Sequence, residues 1–198
     1  MGCHLPLFHA LLQGNGPMMP TLETERLLLR PFRAVDAAAV AALAGDWDVA
    51  RMTARIPHPY TTEMAEAWIA THAPLLRRGE EYVFCIECDG KVAGCIGLQR
   101  SRDTIYELGY WLGKAWWGKG LATEAAKRVV GFALDELGAH GLLSGHLADN
   151  PASGRVLEKC GFRYSGDSME HCEARGEAVA HKGFELMRAG QAGQAGKS

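Results

Sequence analysis

The run YWLGKAWWGKGLATEA, residues 110–125, decides the fold. Its first residues finish an apolar strand, Gly113, Gly118 and Gly120 punctuate a loop, and from Leu121 onward the residues favour helix. A short glycine loop that feeds a helix turns backbone amides outward at the positive end of the helix dipole. Such a stretch is built to hold an anion, and the rest of the chain has to say which one.

The 198 residues, 47% hydrophobic and 22% charged, suit one domain with a sizeable core. A formal charge of -2 gives no basic field, and no local basic patch is present, so a nucleic-acid partner is not expected. Six cysteines (Cys3, Cys85, Cys88, Cys95, Cys160, Cys172) are too few and too unevenly spaced for a disulfide framework, which points to a reducing cytoplasm. Residues 1–20 carry an apolar run too short to span a membrane, with no Lys or Arg before it. Pro6 stands where a myristoylation signal needs Ser or Thr. This segment is expected to be a disordered tail with no membrane role, and translation is expected to start at Met18 or Met19. The domain is expected over 21–188, followed by a flexible Gly, Ala and Gln tail at 189–198.

Working outward from the glycine loop, RLLLRPF at 26–32 reads as a strand whose end Pro31 confines to a sheet edge. Asp36 is expected to cap an alanine-rich helix ending near Ala44. Pro57-His58-Pro59-Tyr60 breaks the chain as a surface turn, the alternative being a substrate-facing loop. Thr61 opens a second amphipathic helix, kinked at Pro74 and closed by Gly79. Residues 81–88 and 91–99 form a hairpin through Asp89-Gly90. Within it Cys85 and Cys88 make a lone CxxC, but positions three apart on a strand face opposite ways, so they read as small buried hydrophobes and no metal site is expected. The next strand, 104–112, puts Tyr106, Leu108, Tyr110 and Leu112 on one face and Ile105, Glu107, Gly109 and Trp111 on the other. Glu107 is either a solvated, ion-paired carboxylate or a general base.

Three anion sites compete for the loop. The frame from Gly113 to Gly120 matches a nucleotide P-loop except at its last position, where Gly120 lacks the hydroxyl that binds magnesium. A dinucleotide fingerprint from Gly118 lacks its third glycine at Thr123 and follows an antiparallel meander, so no βαβ unit is expected there. Trp117-Gly118-Lys119-Gly120-Leu121-Ala122, followed by Thr123-Glu124-Ala125, resembles the pyrophosphate loop of the GNAT N-acetyltransferase superfamily, Q/R-x-x-G-x-G/A. Trp117 replaces the Gln or Arg, as in the branch similar to the ribosomal-protein N-terminal-alanine acetyltransferases. TLETERLLLRPF at 21–32, ELGYWL at 107–112 and ADNPASGRVLEKCGF at 148–162 resemble further blocks of that branch, in order.

The resemblance implies an α+β fold: a central, mostly antiparallel twisted sheet flanked by helices, with strands splayed at a cofactor slot. It implies acetyl-CoA as cosubstrate without a metal, the pyrophosphate resting on amides of Trp117, Gly118, Lys119, Gly120, Leu121 and Ala122. Backbone amides near Trp111 and Leu112 would serve the cofactor and the oxyanion. Asn150 and Ser153 match positions that contact the coenzyme or its thiol end, although Asn150 or Asp149 would equally cap a helix. Glu107 would be the base, acting through water. The tyrosine that protonates the thiolate in many members is replaced by Leu157, leaving Ser153 or water. His146 is a rival base, though a lone strand histidine is more often structural. The helix from Leu121 is expected to reach Leu137 and end at Gly138, with a strand at 141–148, a short helix and a final hairpin at 162–188. The expected activity is acetyl transfer to a primary amine, on a protein N-terminus or a small molecule, in a pocket made by loops such as 55–62 and 163–176. An acyl-CoA-binding module without turnover and a nucleotide-binding protein are the alternatives. Monomer and homodimer both remain open.

Overall fold

The structure, a computed structural model, describes residues 18–188. Of the expected tails, residues 1–17 and 189–198 lie outside the described residues, while Met19 packs against the main core. The architecture grows from the predicted hairpin. Asp89 and Gly90, with φ of 51° and 71°, make the tight turn between β3 (Glu81–Cys88) and β4 (Lys91–Arg102). Antiparallel β5 (Ile105–Leu112) continues the meander. On the other side, β2 (Leu27–Arg30) pairs with β3, and the two-residue β1 (Leu22–Glu23) covers β2. The 26–32 strand is therefore inside the sheet rather than at its edge.

Beyond β5 the sheet changes sense. β6 (Gly141–Leu147) runs parallel to β5, and β8 (Glu177–Met187) lies between β6 and the outermost β7 (Arg163–Cys172), giving the order β1-β2-β3-β4-β5-β6-β8-β7. The final hairpin thus adds to the sheet by its second arm. All pairings except β5 with β6 are antiparallel, the mixed α+β sheet that the sequence implied.

Helices cover both faces. On one lie α1 (Ala37–Ala44), the unanticipated single turn α2 (Trp47–Ala50) and α3 (Thr62–Arg77). Ala37, Val40, Ala41 and Ala65 pack there against Trp68, Val92 and Trp111. On the other face α4 (Leu121–Gly131) and α5 (Pro151–Lys159) bury Leu121, Ala125, Val129 and Leu157 against Phe84, Ile96, Tyr106, Leu108 and Leu142. α3 starts at Thr61, whose Oγ1 accepts from Met64 N at 3.3 Å, and continues through Pro74. α4 runs into a π-helical turn, Phe132–Glu136, before Gly138 at φ 67°. No helix among the described residues is long and apolar enough to cross a membrane.

Asp36 does more than begin α1. No helix amide of α1 uses its carboxylate, which instead accepts from Arg30 Nη1 and Nη2 at 2.7 and 3.0 Å and from Arg33 N at 2.7 Å. Arg30 Nε also reaches Glu87 at 2.6 Å. Burial pushes the Asp36 carboxyl up, but its bonds to Arg30 and the Arg33 amide outweigh burial and hold it below the usual carboxylate range. The charges are 5% and 6% exposed, so breaking the pair by removing one partner costs about 3–5 kcal/mol. The hairpin thiols follow the strand alternation: Cys88 lies in the main core, and Cys85 sits opposite Cys95 away from it. Burial pushes Cys85 up to about 12.

Candidate active site

The site begins where β5 and β6 part. Their parallel pairing covers only Ile105–Glu107 against Gly141–Leu143, written as Ile105↔Gly141, Tyr106↔Leu142 and Glu107↔Leu143. At the apex the Leu108 carbonyl accepts from Ser144 Oγ at 2.8 Å, so a hydroxyl replaces the missing ladder bond. Further along, the Leu112 carbonyl accepts from the Trp117 indole Nε1 at 2.7 Å. Strand alternation then turns the main chain of Leu108, Tyr110 and Leu112 toward the fork and that of Trp111 toward Cys95 of β4. Of the amides expected near the reaction, Leu112 faces the fork, joined by Tyr110; the Trp111 amide faces away, and its side chain packs against the α1 and α3 cluster.

The glycine loop leaves this strand end. Gly113 N bonds Ala93 O at 2.9 Å, Lys114–Trp116 make one 3-10 turn, and Gly118 and Gly120 take φ of 73° and 78°, a left-handed conformation that suits glycine. Among the described residues, none of the backbone amides from 118 to 123 donates a hydrogen bond. Six consecutive free amides at the start of an eleven-residue helix leave a concave run of donors of the kind that suits an anion.

One expectation about the rival anions changes. The P-loop frame does not wrap anything, because Gly113 is buried and a Cβ there would come within 2.6 Å of Leu43; Lys114 turns away to Asp48, 2.6 Å distant. The antiparallel meander implies no βαβ unit at the dinucleotide frame, yet β5, α4 and β6 do make one, since β6 is parallel to β5. The missing third glycine at Thr123 still separates this loop from that fingerprint. Lys119 Nζ lies 5.3 Å from the centre of the Trp116 ring.

Across the fork stands α5. Asn150 caps it, its Oδ1 accepting from Ser153 N at 3.4 Å, and Pro151 occupies the first turn. Ser153 Oγ is 2.8 Å from the Tyr110 hydroxyl, which also donates to Ser153 O at 3.1 Å. Burial pushes the Tyr110 phenol well above its ordinary value, partly offset by Ser153, so Tyr110 stays a neutral hydroxyl. In the sequence Tyr110 reads only as a strand residue, and nothing in its spacing signals this partner 43 residues away. Leu157 is fully buried in the core. His146 fills the space between β6 and α5: its Nδ1 lies 2.8 Å from Leu147 O, its ring is 5.6 Å from Phe184, and a Cβ on Gly154 would meet Nε2 at 2.6 Å.

Glu107 projects from the opposite face of β5. Its side chain is 52% exposed and pairs with Arg55 at 3.6 Å, while Arg55 Nη1 also bonds Gln99 Oε1 at 2.5 Å. Glu81, Gln99 and Glu107 make a cross-strand row on this face. Burial pushes the Glu81 carboxyl up, with Arg55 pulling it down and Glu80 raising it. Beside the row, Gly97 pairs with Gly109, and a Cβ on Gly109 would meet nothing within 4 Å, so the floor there is open backbone. The wall comes from segments distant in sequence. Glu173 N bonds Ala54 O at 2.9 Å, Cys172 Sγ bonds Thr53 O at 3.2 Å, and Arg175 joins Arg51 O through Nε and Asp149 Oδ2 through Nη2, both at 2.8 Å. An extended ligand arm in the fork would thus have a carboxylate on one face and a paired hydroxyl on the other.

Residues 26–163 match the acetyltransferase (GNAT) domain family. The chain is 34% identical over 133 residues to the probable N-acetyltransferase YjcK of Bacillus subtilis, covering 65% of this chain and 74% of that protein. It is 32% identical over 153 residues to the uncharacterized N-acetyltransferase YoaA of the same organism, covering 75% and 86%. Among solved structures, RimL, a ribosomal L7/L12 alpha-N-protein acetyltransferase in complex with coenzyme A, superposes with a TM-score of 0.77 at 16% identity, over 85% of this chain and 98% of that one. The microcin C7 self immunity acetyltransferase MccE, in complex with acetyl-CoA and AMP, gives 0.73 at 16% identity, over 90% and 99%. These two share the fold.

Proposed function

The chain belongs to the GNAT acetyltransferase family and is an N-acetyltransferase, and from that premise we propose that it moves an acetyl group from acetyl-CoA directly to a primary amine, on a protein N-terminus or a small molecule. The observation that carries this reading is the set of six free amides, 118–123, opening beside a fork in the sheet. In this reading the amides and the dipole of α4 hold the coenzyme pyrophosphate, with Trp117 fixing the loop to the strand end. Glu107 takes the proton of the attacking amine through water, and the Leu112 and Tyr110 amides stabilise the oxyanion. When the carbon–sulfur bond breaks, a proton from water passes to the departing thiolate through Ser153 Oγ, which gives up its proton to sulfur as it takes one from the water and is held in place by Tyr110. Asn150 holds the start of α5 so that Ser153 stays at the fork. Cys85, Cys88, Cys95, Cys160 and Cys172 are free thiols, which supports a cytoplasmic setting.

Of the two structures that share the fold, RimL is described as an alpha-N-protein acetyltransferase and MccE as a self immunity acetyltransferase, so the fold alone does not choose the acceptor. An open floor at Gly109 beside the Glu81, Gln99 and Glu107 row suits a cationic amine of either class. The test is melting temperature with acetyl-CoA, then thiol release across a panel of amines. Acetyl-CoA should raise the melting temperature, and Glu107→Gln should lower kcat by about 100-fold while leaving acetyl-CoA affinity intact. Full activity in Glu107→Gln would remove that residue from the mechanism. Leu157 in the tyrosine position favours one second reading, an acyl-CoA-binding module; it predicts cofactor binding with no thiol release from any amine.

A further inference from the structure

We propose that Arg26, with Thr24 and Glu124, clamps the pyrophosphate loop in its binding conformation, so that Arg26 is a positioning residue for coenzyme affinity. The inference rests on the reading of residues 118–123 as the pyrophosphate cradle.

Thr24 and Arg26 lie in the turn between β1 and β2, almost a hundred positions before the loop they touch. Arg26 Nη1 donates to the Lys119 carbonyl at 2.9 Å and Nε donates to Glu124 Oε2 at 2.7 Å. The Arg26 amide and the Thr24 hydroxyl both donate to Glu124 Oε1, at 2.9 and 2.6 Å. Leu27 N in turn donates to Thr24 Oγ1 at 2.9 Å, which orients the hydroxyl. One guanidinium therefore bridges a loop carbonyl and a helix carboxylate, and a second residue of the same turn completes the carboxylate's set.

Two consequences follow from peptide geometry and charge. A trans peptide points its C=O and the next N–H in opposite directions, so pinning Lys119 O on Arg26 fixes Gly120 N–H away from it, among the free amides. Gly120, at φ 78°, is the residue whose freedom would otherwise let that peptide rotate. Glu124 occupies the first turn of α4, the same end that would receive a diphosphate. An unpaired carboxylate there would repel the incoming anion; paired with Arg26 it becomes a strut. Burial pushes the Glu124 carboxyl up, yet Thr24 and Arg26 outweigh burial and hold it below the usual range, which keeps the strut charged. Lysine supplies charge but lacks the planar fork needed for both acceptors.

The experiment is titration of acetyl-CoA into the full chain by calorimetry, with steady-state kinetics alongside. Arg26→Ala should weaken binding about tenfold or more, while kcat at saturation and the KM of the amine stay within about threefold. Arg26→Lys should recover part of that loss. Thr24→Val, a nearly isosteric change, should weaken binding by about threefold and serves if Arg26→Ala fails to fold. The decisive variant is Arg26→Ala with Glu124→Gln: removing the stranded charge should restore part of the affinity lost in Arg26→Ala alone. A residue needed only for folding would not yield that recovery. Wild-type protein that fails to bind acetyl-CoA sinks the cradle itself. Wild-type binding with unchanged affinity in Arg26→Ala, or no recovery in the double variant, overturns the clamp and leaves the cradle standing.

Discussion

On one side of the fork the chain offers its main chain: amides 118–123 without partners, glycines at positive φ, and a loop tied down by the Trp117 indole. On the other side it offers side chains: Glu107 and Arg55 half or more exposed, over a floor of bare glycine, with a wall borrowed from the 51–54 segment and the β7–β8 tip. A main-chain cradle recognises a group that never varies, and it needs few residues to be particular. A side-chain pocket can be retuned by substitution while the sheet beneath it stays the same. On the proposed reading, the contrast gives the cofactor to local main chain and leaves acceptor choice to long-range packing.

The largest expected effect is on the acceptor-side helices in acid. The His72 ring is wedged between Trp68, 4.5 Å away, and Phe32, 5.6 Å away, and among the described residues neither ring nitrogen has a hydrogen-bond partner. Burial pushes its pKa down to about 4. The unfolded chain, with an ordinary histidine near 6.5, therefore binds more protons between those values, and stability rises with pH across that window. The contribution is complete above the unfolded value and is lost as pH falls through about 4, a loss of about 3 kcal/mol. Urea unfolding at pH 7 and pH 4 should show it, and His72→Phe should remove that share while leaving the stabilisation from the Asp36 carboxylate, which is lost only as pH falls below the ordinary carboxylate value. Equal pH dependence in the variant would mean that this packing layer carries no proton linkage.

Next in size is Gly120→Val, which attacks the main-chain side directly. A β-branched residue at φ 78° is strained and turns its peptide, so acetyl-CoA affinity should fall by about 100-fold. The amine KM, read at saturating cofactor, should change little. A parallel rise in both constants would show that the two sides are not separate devices.

Legibility in the sequence follows the same division. The strand–loop–helix geometry of the glycine stretch could be read because it is local: three glycines, a helix former and a strand end within 16 residues carry it. The hairpin was equally local, its turn written in Asp89-Gly90. What could not be read depends on pairs far apart. Tyr110 meets Ser153 only because β5 and α5 flank one gap, and Ser144 meets Leu108 only because β6 is parallel there. Asp36 looked like a helix cap because the residues around it gave no sign of Arg30 folding back. The position of β8 inside β7 is likewise a matter of sheet order, to which alternation within a strand is blind. Glu107 shows the limit most clearly: the strand pattern assigned its face, but its neighbour Arg55 comes from a loop.

The smallest expected effect tests whether the acceptor wall is independent of the cofactor side. Arg175 touches both, through Arg51 O in the wall and Asp149 Oδ2 beside the cap of α5. Its side chain is only 15% exposed, so the bonds are held in place rather than traded with water. Arg175→Ala frees the β7–β8 tip from the 51–54 segment on one flank, while Cys172 and Glu173 keep their own bonds to Thr53 and Ala54. Partial release should blur the pocket without opening it, raising the amine KM by about tenfold at constant acetyl-CoA affinity. Arg175→Lys should sit between, since it can keep Asp149 or Arg51 O but not both. If acetyl-CoA affinity falls with the amine KM, the Asp149 arm is transmitting the change to α5, and the fork works as one unit whose two faces are coupled through a single guanidinium.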